Sequence, residues 1–296
     1  FLVGLIQPAM RLHCDIVCEA PISVDLLYKL QTYYCPAVAN NSEDMQVPAI
    51  EAPMDAKPIA SAHAVGTGIS GGVDSFEVIA THYHSRFAKY NLTHLCLFYA
   101  GAYDQDDDVL DRREFQNDVK RAVEICEELG LSFVKVVSNC ADPELFRGYH
   151  LQLNSMRNIS CVMALRKLFG VYLLASSVDI TKFDVKMHDR YDSAGYDAFT
   201  VGCVSSDGLL VLSAGSTKTR YEKTKTVAEF SPAHKFLHVC LSEVGGNCNQ
   251  CTKCIRTLTT LDALGRIDLF AKVFDVEYYR RHRLMYLRWL YEQELL

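Results

Sequence analysis

Ile69-Ser70-Gly71-Gly72-Val73-Asp74-Ser75-Phe76 is the stretch on which the reading of this 296-residue chain turns. Before it, His63-Ala64-Val65-Gly66-Thr67-Gly68 is apolar and reads as extended. After it, Glu77-Val78-Ile79-Ala80-Thr81-His82-Tyr83-His84 reads as a helix, so the order is strand, glycine turn, helix. Two adjacent glycines can adopt positive φ and let the backbone close on a ligand without Cβ clashes. Ser70 and Ser75 add hydroxyls, and a helix beginning near Asp74 directs unpaired N–H groups and a positive dipole end at whatever sits there. That combination favours phosphate. The bland alternative is an ordinary βα turn in which Asp74 or Ser75 caps the helix.

Outward from this loop the pattern alternates. Leu92 to Ala100 is a nearly continuous apolar strand, as expected of a sheet covered on both faces. Asp108 to Leu129 is an amphipathic helix ended by Gly130, and Phe133 to Val137 is the next strand. Arg157 to Phe169 reads as a helix closed by Gly170, and Val171 to Ala175 as a strand. Strands alternating with helices predict an α/β fold, a doubly wound and mostly parallel sheet with flanking helices. In such sheets ligands bind beyond the carboxyl ends of the strands, where the glycine loop falls. Residues 1–60 read as a small N-terminal αβ module: a strand over 15–20, a helix capped by Ser23 with Leu26, Leu27 and Leu30 on one face, a loop over 36–48 and a short strand over 48–52. The expected divisions are 1–60, 61–232 and 233–296. The acidic run Asp104-Gln105-Asp106-Asp107-Asp108 is read first as helix capping, with magnesium binding as the minority reading. His82 and His84 stand two apart on a helix and share no face, so they are read as structural or solvated. His234 and His238 have metal spacing only in a helix, and Lys235 to Cys240 reads as extended.

An apolar fraction of 49% and a charged fraction of 22% belong to a globular chain. No stretch approaches the roughly 18 apolar residues of a membrane helix. The opening Phe1-Leu2-Val3-Gly4-Leu5-Ile6 is short and lacks a basic flank, which disfavours a signal peptide. A net charge of −6 argues against a nucleic-acid partner and for a small-molecule or protein substrate. Twelve cysteines without an export signal point to a reducing cytoplasm. Eight are scattered (Cys14, Cys18, Cys35, Cys96, Cys126, Cys140, Cys161, Cys203) and read as small buried hydrophobes.

The other four form Cys240-x7-Cys248-x2-Cys251-x2-Cys254. Four thiolates from a strand end, a loop and a helix start can close a tetrahedron around Zn²⁺, with no coordination position left open. A helix beginning near Thr252 would stabilise the thiolates at its N-terminus. An iron–sulfur cluster is the alternative occupant.

Ser-Gly-Gly-x-Asp-Ser after a strand resembles the pyrophosphate-gripping loop of the PP-loop ATP pyrophosphatases, HUP-like α/β enzymes that activate a substrate oxygen as its adenylate. Two later segments match the same superfamily. His150-Leu151-Gln152-Leu153-Asn154-Ser155-Met156-Arg157-Asn158 resembles the Arg-Asn element placed beside the nucleotide, where Arg157 would offer its guanidinium fork to phosphate. Ser216 to Lys223 opens a helix at which family members carry a lysine near the substrate; Lys223 is the match and Arg220 a looser one. A cation there would offset charge developing on the phosphates. With the late cysteine cluster, the motif order over roughly residues 63–265 resembles the 7-cyano-7-deazaguanine synthase family. Residues 1–60 and the amphipathic segment from Val276 to Leu296, suited to packing or homodimerisation, lie outside the resemblance.

The resemblance implies ATP, Mg²⁺ and Zn²⁺ as cofactors, a carboxylate acceptor and ammonia as nitrogen donor. It assigns Ser70, Gly71, Gly72, Val73, Asp74 and Ser75 to the nucleotide together with Arg157, Asn158 and Arg220, and Asp74 and Lys223 to catalysis. Two other classes compete. An ATP-dependent sulfurtransferase would need a reactive cysteine or iron–sulfur cluster beside the nucleotide, and a binding module would hold ATP without turnover.

Overall fold

The computed structural model describes residues 1–101, 108–140, 150–185, 192–206, 208–240 and 246–294, with only the backbone course for 108–112, 150 and 294. The apolar opening is a helix, α1 (Leu2–Leu12), with Pro8 inside it. Leu2, Val3, Ile6 and Met10 are spaced for one helix face and all are buried. Two short parallel pairs follow, β1 (Ile16–Val17) with β3 (Ile50–Glu51) and β2 (Ile22–Ser23) with β4 (Met54–Asp55). Between them Ser23 takes the N-cap position of α2 (Val24–Lys29), although its side chain makes no cap hydrogen bond. Leu26, Leu27 and Leu30 are buried as expected. The expected loop from residue 36 is helical at its start: a π-helical turn over Leu30–Tyr34 runs into α3 (Cys35–Ala39). Pro36 stands in the first turn of α3, where a missing N–H is tolerated.

The main sheet is built from β5 (Ala64–Gly68), β6 (His94–Tyr99), β7 (Ser132–Val137), β8 (Phe169–Ala175) and β9 (Leu210–Ala214) in the order β7-β6-β5-β8-β9, every pair parallel. The connecting helices are α4 (Val73–His82), α5 (Asp108–Leu129), α6 (His150–Ala164), α7 (Asp197–Val204) and α8 (Arg220–Ala228), followed by α9 (Ala233–Phe236), α10 (Thr252–Ala263) and α11 (Val276–Glu294). The predicted α5 stands at its expected bounds, with Gly130 in the left-handed region after it. Helix α6 starts and ends earlier than expected, so Arg157 lies mid-helix and Gly170 is inside β8 rather than capping a helix. A short helix, α9, occupies part of the segment read as extended, and Cys240 follows no strand.

Alternate residues of the strands feed two separate cores. Ala64, Cys96, Phe98, Phe169 and Tyr172 pack with α1, α2, α3, α6 and α7, so residues 2–50 share a core with one face of the sheet. Val65, Leu95, Val171 and Leu173 pack on the other face with α4, α5, α8, α10 and α11. The chain runs outward from β5 through β6 to β7, then returns to lay β8 on the opposite side of β5. The carboxyl ends of β5 and β8 therefore form the switch point at which open parallel sheets leave a crevice. Thr67 Oγ1 ties the two strands there, donating to the Leu173 carbonyl at 2.7 Å.

Five scattered cysteines (Cys35, Cys96, Cys126, Cys161, Cys203) are buried as expected, whereas Cys14 is exposed and Cys18 and Cys140 are half-buried. The acidic run over 104–107 lies outside the described residues. Among the described residues no helix is long and apolar enough to cross a membrane.

One polar cluster sits inside the α6–α7 layer. Ser155 Oγ donates to Asp197 Oδ1 at 2.5 Å and meets Ser193 Oγ at 2.9 Å, all three residues being buried. Burial pushes the Asp197 carboxyl up to about 7, against the lowering effect of the Ser155 hydrogen bond. The folded protein thus holds a proton that the unfolded chain releases near pH 4. Stability is highest below that value and falls as pH rises toward 7, by about 1.4 kcal/mol per unit. Asp197→Asn keeps the shape and the acceptor but cannot ionise. Its advantage over the wild type in denaturant unfolding should grow from pH 4 to pH 7, to roughly 4 kcal/mol at most. A pH-independent difference would sink this account.

Candidate nucleotide and metal sites

Beyond Gly68 the chain turns sharply at the switch point. Ile69 is anchored by its N–H to the Cys96 carbonyl at 2.8 Å, and Gly71 follows at φ +79°, a conformation open to glycine at little cost. A Cβ at Gly71 would also come within 3.3 Å of the His238 Cβ. Gly72, rather than Asp74 or Ser75, takes the N-cap position of α4, and no side chain caps it. The first-turn N–H groups thus lack an intrahelical acceptor and a competing side-chain cap. Ser75 Oγ donates to the Gly72 carbonyl at 3.0 Å and meets Ser70 Oγ at 3.3 Å. Ser70 is exposed and Gly72 and Asp74 half-buried, so the loop is open to solvent. Val73, Phe76 and Ile79, facing the sheet, hold α4 in place. Full burial of such side chains contributes roughly 1.5–3 kcal/mol each.

Helix α8 brings the cations. Its basic first turn opposes the helix dipole, and a capping box offsets that. Thr219 accepts from the Glu222 N–H at 3.3 Å, while Glu222 Oε2 accepts from the Thr219 N–H at 2.8 Å. Arg220, the first residue of α8, reaches Asp74 Oδ2 at 2.9 Å; Lys223, one turn later, reaches Asp74 Oδ1 at 3.1 Å. The Lys223 ammonium also donates to the carbonyl of Ser176, the residue just past β8, at 2.5 Å. Its side chain is only 2% exposed, which makes this a built arrangement rather than a surface ion pair. A second pair stands behind it: Lys218 Nζ meets the buried Glu77 Oε1 at 2.6 Å. Gly215, at φ +72°, turns the chain from β9 toward α8, and a Cβ there would lie 2.5 Å from Glu77 Oε2.

Of the sequence-derived residues, those of the 70–75 loop, Arg220 and Lys223 thus converge at the carboxyl ends of β5 and β8. Arg157 and Asn158 lie on α6, in the core of the opposite sheet face; Arg157 is buried, and the Asn158 amide donates to the Asn154 backbone and side-chain oxygens. Four residues near the loop were not assigned to it from the sequence. Arg121 on α5, paired with Asp118, lies beside Gly71, and His238 donates its N–H to the Gly71 carbonyl at 2.8 Å. Burial and Arg121 both lower the His238 imidazole, which favours the neutral form. The other two, Lys253 and Arg256, stand on α10.

The predicted metal ligands also come together. The Sγ atoms of Cys240, Cys248, Cys251 and Cys254 all lie within 4.8 Å of one another, and none forms a disulfide. A tetrahedral zinc with Zn–S bonds of about 2.3 Å separates its sulfurs by about 3.8 Å; Cys240 and Cys251 stand at 3.9 Å. Backbone donors already point at the sulfurs, Cys248 N–H to Cys240 at 3.3 Å and Gln250 and Cys251 N–H to Cys248 at 3.4 and 3.3 Å. Burial and the neighbouring thiols push the Cys254 thiol far up, the expected penalty for crowding thiols where a cation belongs. The four thiols therefore fit a metal ion such as zinc.

Two side chains brace this centre. Asn247 accepts from the Val239 N–H at 2.8 Å and donates to the Leu237 and Val273 carbonyls, and Tyr286 of α11 donates to the Asn249 carbonyl. Helix α11 thus buries Val276, Tyr279 and Tyr286 against the centre while leaving Leu284 and Tyr291 exposed. Comparison of the sequence with protein-family models finds no match, and comparison with curated proteins finds none either.

Proposed function

We propose that this chain is an AMP-forming, ATP-dependent ligase of the PP-loop type, acting on a carboxylate or similar oxygen of a deazaguanine-like or related substrate. The observation that carries the reading is the meeting of Asp74, Arg220 and Lys223 beside an uncapped glycine-turn helix at the sheet's switch point. A pyrophosphate leaving group needs backbone donors at a helix start and cations on its flank, and both are present there. The substrate carboxylate attacks the α-phosphorus, the bond to the β-phosphate breaks, and pyrophosphate departs into the 70–75 loop. Ammonia then attacks the acyl carbon, AMP leaves, and the nitrogen loses a proton. Mg²⁺ bound with ATP lowers the charge the phosphates present. The closed set of four cysteines supports a structural metal, zinc, over the reactive cysteine or cluster that thiolation would require.

The test is incubation with ATP, Mg²⁺, ammonium and candidate carboxylates, 7-carboxy-7-deazaguanine among them, with AMP as the readout. AMP formed only with an acceptor, and abolished by Asp74→Asn, supports the reading. ATP binding without AMP for any acceptor would replace it with the binding module.

A further inference from the structure

Helix α10 begins immediately after Cys251 and packs against α8. Lys253 and Arg256, three apart and therefore on one face of α10, are both solvent-facing. Both stand within electrostatic reach of Arg220 and Asp74, and Lys253 of Arg256 as well. Among the described residues, Arg220, Lys223, Lys253 and Arg256 are thus gathered around one carboxylate, that of Asp74, since Glu77 is engaged by Lys218. Like charges this crowded oppose folding unless an anion joins them. Four cations and one carboxylate among the described residues match a polyphosphate better than a single carboxylate.

Resting on the nucleotide reading above, we propose that Lys253 and Arg256 bind the polyphosphate held at the glycine loop. The four-cysteine centre positions them, because Cys251 and Cys254 fix the first turn of the helix that carries both. The same centre reaches the loop by a second route. His238, two residues before Cys240, holds the Gly71 carbonyl through its backbone N–H. The site therefore has three walls: the glycine loop, α8 and the metal-anchored turn of α10.

Calorimetric titration of inorganic pyrophosphate and of ATP into the zinc-loaded 296-residue chain tests this. Lys253→Gln and Arg256→Gln should each weaken pyrophosphate binding roughly tenfold or more, as loss of a charge-assisted phosphate contact does. Lys235→Gln, which breaks a surface pair with Glu128, is the control and should bind as the wild type does. Unchanged melting temperatures show that the fold survives. If the wild type binds neither pyrophosphate nor ATP, the nucleotide reading itself falls. If it binds both and the two variants match the control, only the assignment of Lys253 and Arg256 falls. Variants that bind pyrophosphate normally and raise only the KM of the carboxylate acceptor would likewise overturn it.

Discussion

On the proposed ligase reading, Lys223→Met should lower AMP formation by about two to three orders of magnitude, the loss that follows removal of a preorganised charge from a developing anion. The geometry around the lysine suits that role. Asp74 and the Ser176 carbonyl fix its ammonium from two sides, and burial removes the water that would screen it. A lysine kept only for structure predicts another pattern. Its loss would strand the Ser176 carbonyl, at about 1–3 kcal/mol, and lower the melting temperature with little effect on turnover per folded molecule. Asp74 keeps Arg220 as a partner in the variant, so no carboxylate is left without a counter-charge and the fold should persist. The discriminating measurement is kcat on protein shown to be folded, beside the Kd for ATP. A transition-state role costs kcat far more than affinity. Wild-type kcat in Lys223→Met would remove the residue from catalysis.

The parts of the molecule that could be read from sequence are those whose signal is local. Asp108–Leu129 declares itself by periodicity and by Gly130, and the apolar run around Leu95 by its lack of alternation. The glycine turn declares itself by two glycines between a strand and a helix. The cysteine spacing works because four ligands of one ion must lie close together along a short loop. What escaped depends on neighbours remote in sequence. The opening Phe1 to Ile6 carries only a reading against a signal peptide; its helix α1 stands out once it is laid against α6, some 150 residues away. Pro36 suggested a loop, but a proline in a helix's first turn breaks nothing. Arg157, read at a helix start, lies mid-helix because α6 begins at His150. Lys253 and Arg256 look like ordinary surface bases until α10 is laid against α8. Asp197 looks like any acidic helix residue until its burial is known.

Cys251→Ser should have the largest effect on stability. Serine keeps the size but offers a far weaker ligand, so metal content should fall below one ion per chain. The loss reaches beyond one bond. Without the ion, the remaining thiols stay crowded within 4.8 Å of one another, Cys254 is buried without its charge partner, and the 240–254 loop loses its closure. A structural zinc site carries on the order of 10 kcal/mol of apparent binding energy. Even a third of that, about 3 kcal/mol, would lower the melting temperature by about 5 °C for a chain of this size. Differential scanning calorimetry beside metal analysis measures both. Because His238 and α10 connect the centre to the glycine loop, the folded variant below its melting temperature should also bind pyrophosphate more weakly than the wild type. A variant that loses the metal yet keeps both its melting temperature and its pyrophosphate affinity would show that Asn247, Tyr286 and the α10 packing hold the loop unaided. The four thiols would then be a ligand set without a structural task.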